Sequence, residues 1–175
     1  EPQTRYAARA VVGPSWARYP HRMATTFSIA RRTSVNASPE RVLSFIEDFR
    51  QWVQWSPWEG LDPDLQRTYT GPERGAGSSY TWSGNRKAGA GTMDMAKSGA
   101  DGVDIDLTFT KPFPARNHVR IDVTPTAAGT DVVWTMTGPQ SAVNKLIFRL
   151  LKMEARLAAD FDKGLAQLKA VAEAA

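Results

Sequence analysis

The sequence predicts an α+β protein in which a curved, seven-stranded antiparallel sheet wraps around one long C-terminal helix, with two short helices after the first strand. Three observations lead to this fold class. One alternating run of apolar and polar residues precedes a short helical stretch. Six further alternating runs, separated by turn residues about every ten positions, fill the middle of the chain. A helical period then continues from residue 141 to 174.

The first strand and the two short helices are predicted from residues 25–58. Alternation from residue 25 to 36 indicates a strand with one buried face. Ser38 is then a good N-cap, and Pro39 suits the first helical position. A second short helical turn should end near Trp55, because Pro57 stops helical continuation. The first helix has an apolar side made of Val42, Leu43, Phe45, Ile46 and Phe49.

The six later strands form an antiparallel meander in this interpretation. Turn signals lie at residues 71–75, 84–85, 99–102 and 127–129. In each run the apolar residues share one face and the polar residues share the other, so one face of the sheet should be buried. The predicted strands are residues 65–70, 78–83, 91–98, 103–111, 116–124 and 131–137.

The C-terminal helix should span about 33 residues and be roughly 45–50 Å long. Its apolar stripe would lie along a single sheet, and it consists of Leu146, Leu150, Met153, Leu157, Phe161, Leu168 and Val171. Gly164 lies close to the stripe. It either permits a close approach to another backbone or is a tolerated weak position that costs about 1 kcal/mol.

Composition excludes several classes of function. The chain has 175 residues, of which 42% are hydrophobic, so one domain with a full core is expected. It has no cysteine and only two histidines, His21 and His118. We therefore expect no disulfide, no metal site and no cofactor. No apolar run reaches about 18 residues, so no stable membrane insertion is expected.

Residues 1–22 are interpreted as an extension outside the folded domain, which comprises residues 23–175. Met23 would be the natural start, and an arginine-rich transit peptide is the alternative. The formal net charge is +4, but the extension holds four arginines against Glu1, which leaves +1 for the domain. That balance disfavours a nucleic-acid partner. The lack of cysteine and of a secretory leader favours a cytoplasmic location, and the oligomeric state is left open.

Several strings resemble the START-like superfamily (SRPBCC, or helix-grip fold), and they are most similar to bacterial polyketide cyclase/dehydrase-like proteins. They lie at residues 35–42, 48–59, 80–85, 89–94, 111–117, 129–138 and 160–169. The resemblance implies a hydrophobic ligand cavity between the sheet and the long helix. It does not imply one activity, because the superfamily includes lipid carriers, hormone receptors, cyclases, hydrolases, chaperone activators and ribosome-directed toxins.

The expected cavity residues come from inward strand positions and from the helix stripe. They are Tyr80, Trp82, Met93, Phe109, Asn117, Trp134, Met136, Leu150 and Leu157. A filled core is the alternative for Trp82 and Trp134. A buried Asn117 amide should either hydrogen-bond the backbone or face a ligand or water, since an unpaired buried amide costs about 1–3 kcal/mol.

The expected cavity mouth consists of Trp55, Trp58 and Glu59. Packing of the helix–loop junction is the favoured alternative for Trp55 and for its neighbour Trp52. No convincing catalytic group emerges: His118 should point outward, and Tyr69 and Tyr80 could donate a hydrogen bond to a carbonyl or simply belong to an aromatic core.

Three functions remain open. The first is binding of a hydrophobic small molecule (a lipid, a polyketide or an aromatic compound) in the cavity. The second is a cyclase or dehydratase that uses the same cavity and needs a titratable group inside it. The third is a protein-binding adaptor of the chaperone-activator or ribosome-associated type, which predicts a cavity filled by Trp82, Trp134, Met93 and Met136 together with an exposed apolar patch.

Overall fold

A computed structural model describes residues 25–140 and 153–174. It contains seven strands: β1 (Thr25–Val35), β2 (Gln66–Thr70), β3 (Ser79–Ser83), β4 (Ala90–Gly99), β5 (Gly102–Lys111), β6 (Ala115–Thr126) and β7 (Gly129–Gln140). Helix α1 (Pro39–Ile46) and a 3-10 helix (Gln51–Gln54) follow β1, and α2 (Met153–Glu173) closes the described part of the chain.

The strands form one antiparallel sheet in the order β1-β7-β6-β5-β4-β3-β2. The chain therefore runs as a meander from β2 to β7, and β1 pairs with the last strand. Each of the six later strands agrees with its predicted run to within three residues at either end. The predicted fold class is confirmed: a curved sheet combined with a long C-terminal helix and short helices after strand 1.

Local signals set the ends of the first helices. The Ser38 hydroxyl accepts a hydrogen bond from the Arg41 amide, as an N-cap should, and Pro39 begins α1. The 3-10 helix ends at Gln54 with Trp55 as its C-cap, which confirms the predicted helical turn before Pro57. Two indole nitrogens then hold this segment against α1, since Trp52 donates to the Ile46 carbonyl and Trp55 donates to that of Phe45, both at 2.9 Å.

The core lies between the inner face of the sheet and α2. Alternate residues of three central strands are buried there, namely Val103, Ile105, Leu107, Val119, Ile121, Val123, Val132, Trp134 and Met136. Phe161, Leu165 and Leu168 of α2 are buried against them. The opposite face of the sheet is polar, as the alternation predicts. Positions 146 and 150 of the predicted helix stripe lie outside the described residues.

Gly164 permits a close approach of α2 to the rest of the core. A Cβ atom at this position would lie 2.8 Å from Cζ3 of Trp134 and 2.9 Å from Cδ of Pro57. Carbon atoms in contact are normally about 3.5–4.0 Å apart, so no side chain fits here without movement. Of the two interpretations of Gly164, the structure supports close approach, but to the side chains of Trp134 and Pro57 and not to another backbone as expected.

Candidate functional site: an apolar cavity beside the helix

A cavity of about 930 Å³ lies between the sheet and the first two turns of α2. All seven strands contribute to its lining, and Met153 and Leu157 contribute from the helix. Most of the lining is aromatic or aliphatic. Its volume falls within the range of about 300–1,000 Å³ that is typical of small-molecule sites.

Seven of the nine expected cavity residues belong to the lining. They are Tyr80, Trp82, Met93, Phe109, Asn117, Met136 and Leu157. Strand alternation explains this grouping, because the first six occupy inward positions on β3 to β7. Leu150 lies outside the described residues. Trp134, the remaining one, is placed elsewhere.

Trp134 was expected in the cavity, but the structure places it in the filled core. Its side chain is 1% exposed, and its ring stacks on Phe161 with centroids 4.3 Å apart. Trp52, Trp55 and Trp58 surround it at 5.5–6.1 Å. The close approach of α2 at Gly164 leaves no open space at this end of the helix, which is why an inward tryptophan there becomes core.

Trp55 was expected at the cavity mouth, and the structure corrects that placement too. It is 0% exposed, does not line the cavity and is held by its hydrogen bond to the Phe45 carbonyl. Packing of the helix–loop junction, the favoured alternative, therefore describes Trp55. Trp52 has both roles, since it is buried in the junction and also lines the cavity.

Trp58 and Glu59, the other two mouth residues, do line the cavity. Trp58 is half-buried against Trp134 and Phe161, with ring centroids 5.8 and 6.3 Å apart, so it separates the cavity from the filled core. The Glu59 carboxylate accepts a hydrogen bond from the Arg67 guanidinium, and both side chains are largely shielded from solvent.

An aromatic wall, defined as Tyr69, Tyr80, Trp82 and Phe109, runs across neighbouring strands. Tyr69 and Tyr80 stack with centroids 5.2 Å apart, Tyr80 and Trp82 stack at 5.9 Å, and Trp82 meets Phe109 edge-on at 5.7 Å. The Trp82 indole donates to the Ala88 carbonyl at 3.1 Å. Such contacts hold the rings in fixed orientations, so this wall is preformed.

Two phenols of the wall are proton donors rather than bases near neutral pH. Burial raises the pKa of Tyr80 to about 12, and it also raises the pKa of Tyr69 above its usual value. Each phenol therefore keeps its proton and is able to donate a hydrogen bond to a carbonyl or carboxylate oxygen.

Asn117 is an uncharged polar residue of the lining whose side chain has no hydrogen-bond partner in residues 25–140 and 153–174. Among the described residues, nothing makes a hydrogen bond with its amide, which is half-buried. Its Oδ1 lies over Gly138, where a Cβ atom would collide with it. The backbone hydrogen bond that sequence reasoning offered is thus not formed within this part of the chain. The amide remains available to a ligand or to water.

His118 lies on the outer face of the sheet, as expected. Its Nε2 is 3.0 Å from Asp104 Oδ1 and its Nδ1 is 3.5 Å from Asp106 Oδ1. Asp104 also binds Arg120 at 2.9 Å. These groups therefore form a surface charge network on the face opposite the cavity.

Sequence reasoning missed Arg67 and the cationic residues at one end of the cavity. Alternation within β2 could have found Arg67, because it shares the inward face with Leu65 and Tyr69. Lys87 and Lys111 lie in or beside turns, where no periodicity indicates which way a residue faces.

Neither a metal site nor a membrane span emerges from residues 25–140 and 153–174. Within them, no three His, Asp or Glu side chains come together as a metal site would require. No helix in the same ranges has the length and apolar character needed to cross a bilayer.

Solved structures similar to this chain share its fold at low sequence identity. KanY, solved in solution, has a TM-score of 0.63 at 20% identity, with 85% of this chain and 99% of that chain covered. A protein of unknown function from Staphylococcus aureus has a TM-score of 0.65 at 9% identity, with coverages of 85% and 94%. The Aha1 dimer from Colwellia psychrerythraea has a TM-score of 0.60 at 16% identity, with coverages of 85% and 97%.

Family comparison identifies the same domain from the sequence. Among curated proteins, none matches this chain significantly. The family model described as "Polyketide cyclase / dehydrase and lipid transport" matches residues 26–173 of the 175-residue chain. The chain therefore belongs to the polyketide cyclase/dehydrase and lipid transport family, within the START-like superfamily.

Proposed function

We propose that this protein binds a hydrophobic small molecule in the cavity between the sheet and α2. The observation that carries the proposal is the cavity itself, about 930 Å³ in volume and lined mainly by apolar side chains. Lipid-like, polyketide-like and aromatic compounds fit that lining. The predicted cytoplasmic location and the expected lack of a nucleic-acid partner stay predictions.

Apolar burial alone supports useful affinity. A ligand that buries roughly 300 Å² of apolar surface at about 25 cal/mol per Å² gains on the order of 7 kcal/mol before the costs of association. The preformed aromatic wall keeps those costs low, because few side chains have to be ordered on binding. Asn117 and the Tyr80 phenol would add orientation through hydrogen bonds to polar groups of the ligand.

Titration with the uncharged fluorescent probe N-phenyl-1-naphthylamine tests the proposal. We expect saturable binding to the wild-type protein. The double variant Met93→Trp/Leu157→Trp should bind several-fold more weakly, since both residues line the cavity. Ala159→Trp is the matched control, because position 159 is exposed on the same helix. Equal binding by all three proteins, or no binding by any, would count against a ligand cavity.

Native mass spectrometry provides an independent test of ligand binding. Protein purified from its own host should carry a co-purified small molecule that is lost on mild organic extraction. Repeated absence of such a molecule, together with no probe binding, would refute the carrier function.

A cyclase or dehydratase activity is the second candidate, favoured by the acid and phenol groups in the lining. Glu59 and the proton-bearing Tyr80 both line the cavity, and the sequence alone had offered no convincing group there. A phenol that donates to a carbonyl would stabilise the enolate of an intramolecular aldol reaction.

Heptane-2,6-dione is a simple surrogate for this activity. Its cyclisation gives 3-methylcyclohex-2-enone and water, and the enone is followed by ultraviolet absorbance. An enzyme of this type should accelerate the reaction, and Tyr80→Phe should slow it while probe binding is retained. No acceleration over buffer would argue against this second candidate.

The adaptor hypothesis predicted a filled hollow and an exposed apolar patch, and the first of these two features is missing. It required Trp82, Met93 and Met136 to fill the hollow together with Trp134. Instead Trp82, Met93 and Met136 line an open cavity, although Met136 is itself buried, and Trp134 is the one of the four that does not line it. The resemblance to the Aha1 dimer concerns the fold alone.

A further inference from the structure

The open end of the cavity is built by two neighbouring loops. The β3–β4 turn contains Lys87, and the β5–β6 connection runs from Lys111 to Ala115. The two are in contact at Gly89, whose φ is +66° and where a Cβ atom would lie 2.6 Å from the Lys111 carbonyl oxygen. Phe113, within the β5–β6 connection, is 81% exposed. We define the rim as Lys87, Lys111, Phe113 and Arg116, all of which are exposed and belong to the lining.

The rim carries positive charge that the described part of the chain does not neutralise. Lys87, Lys111 and Arg116 have no ion-pair partner in residues 25–140 and 153–174. The acidic residue of the lining, Glu59, is engaged by Arg67. Asp62 lies near the β3–β4 turn, but its carboxylate accepts the Asn85 amide at 2.6 Å and does not line the cavity.

The two ends of the cavity therefore differ in chemistry. The inner end is closed by buried aromatic groups such as Phe49 and Trp52, whereas the outer end presents three cations to solvent. An uncharged apolar ligand would use only the inner part. A ligand with an apolar body and an anionic head would use both parts, with its head still partly hydrated at the rim.

We propose that the ligand is an anionic amphipath, whose apolar body lies along the aromatic wall and whose carboxylate, sulfate or phosphate head binds the rim cations. This inference rests on the proposed function and specifies its ligand class and orientation. Exposed ion pairs are individually weak, each changing an affinity by roughly 1.5- to 5-fold. Three of them acting together would give a preference for an anionic head of about tenfold at low salt.

A series of decyl compounds tests the head-group preference at constant chain length. Decyl sulfate, decanol and decyltrimethylammonium, each kept as monomers, are titrated against protein carrying the uncharged N-phenyl-1-naphthylamine probe. We expect decyl sulfate to displace the probe at about one tenth of the decanol concentration, with decyltrimethylammonium the weakest. The advantage of decyl sulfate should shrink as salt is raised from about 20 to 500 mM, because the rim is exposed and screened.

The double variant Lys87→Gln/Lys111→Gln locates the effect. It should weaken decyl sulfate binding roughly three- to tenfold and leave decanol binding unchanged. Arg32→Gln is the matched control, since Arg32 is an exposed cation on β1 that does not line the cavity. Arg32→Gln removes one positive charge, as each of the two rim substitutions does. It should leave the affinities for decyl sulfate and decanol unchanged. Circular dichroism of each variant checks the fold.

The outcomes separate the two proposals. Equal displacement by the three decyl compounds, or equal losses in the rim and Arg32 variants, would overturn the anionic-head inference while probe binding still supports a ligand cavity. If the probe itself does not bind, the proposed function fails, and the ligand class fails with it.

Discussion

Replacing Gly164 with alanine tests whether α2 packs so closely against Trp134 and Pro57 that position 164 has no room for a side chain. The new methyl carbon would lie 2.8 Å from Cζ3 of Trp134 and 2.9 Å from Cδ of Pro57. Ordinary carbon contacts are about 3.5–4.0 Å, so the ring or the helix has to move by roughly 1 Å. Trp134 has little room to do so, because it stacks on Phe161 at 4.3 Å and has Trp55 5.5 Å away.

Two opposing contributions determine how much Gly164→Ala changes the free energy of unfolding. Overpacking of a well-packed core costs about 1–3 kcal/mol. Alanine in place of glycine inside a helix returns about 1 kcal/mol. We therefore expect Gly164→Ala to lower the free energy of unfolding by about 1 kcal/mol, which corresponds to roughly 2–4 °C in Tm for a domain of this size.

Urea unfolding followed by tryptophan fluorescence measures the change, provided that the m value is unchanged. Ala166→Gly is the control, since Ala166 is exposed two residues further along the same helix and reports helix propensity alone. It should lose about 1 kcal/mol. If Gly164→Ala instead gained about 1 kcal/mol, Gly164 would be a tolerated weak position and the packing argument would be refuted.

Two further predictions concern buried polar groups. Burial raises the pKa of Tyr80 from 10.0 to about 12, so the native protein keeps a proton that the unfolded chain loses. Its contribution to stability is complete below about pH 10 and falls as the pH rises towards 12, by roughly 2–3 kcal/mol. Urea unfolding at several alkaline pH values should show a shallower decline for Tyr80→Phe; parallel declines would contradict the shift. Thr130 is buried and donates to the Ala37 carbonyl at 2.7 Å. Thr130→Val should therefore cost about 1–3 kcal/mol, whereas removing the exposed hydroxyl in Ser34→Ala should cost less than half of that; equal losses would show that burial of the bond is unimportant.

Strand alternation predicted the fold and most of the lining because it is a local property of the chain. Tyr80, Trp82 and Met93 face the hollow for the same reason that Val103 and Ile105 are buried, namely that side chains two apart in a strand share one face. That rule does not say whether an inward residue meets open space or another side chain.

Trp134 and Trp55 show what the local sequence pattern could not predict. Trp134 was correctly predicted to face inward but belongs to the core, because α2 approaches the sheet closely at Gly164. Trp55 was expected at the cavity mouth but is buried in the helix–loop junction, where it donates to the Phe45 carbonyl. The separation between helix and sheet decides between cavity and core, and it depends on residues far apart in sequence. The Glu59–Arg67 ion pair also depends on tertiary structure. It forms only when β2, which carries Arg67, lies at the sheet edge beside the loop that carries Glu59.

Methyl NMR with naphthalene as an uncharged ligand tests the central claim most directly. The methyl signals of Met93, Met136 and Leu157 should shift and saturate, because these residues line the hollow. Met95 should not, since it is buried in the filled core only two residues from Met93 on the same strand. Unchanged signals at all four positions, or equal shifts at Met93 and Met95, would contradict an open apolar cavity between the sheet and the helix.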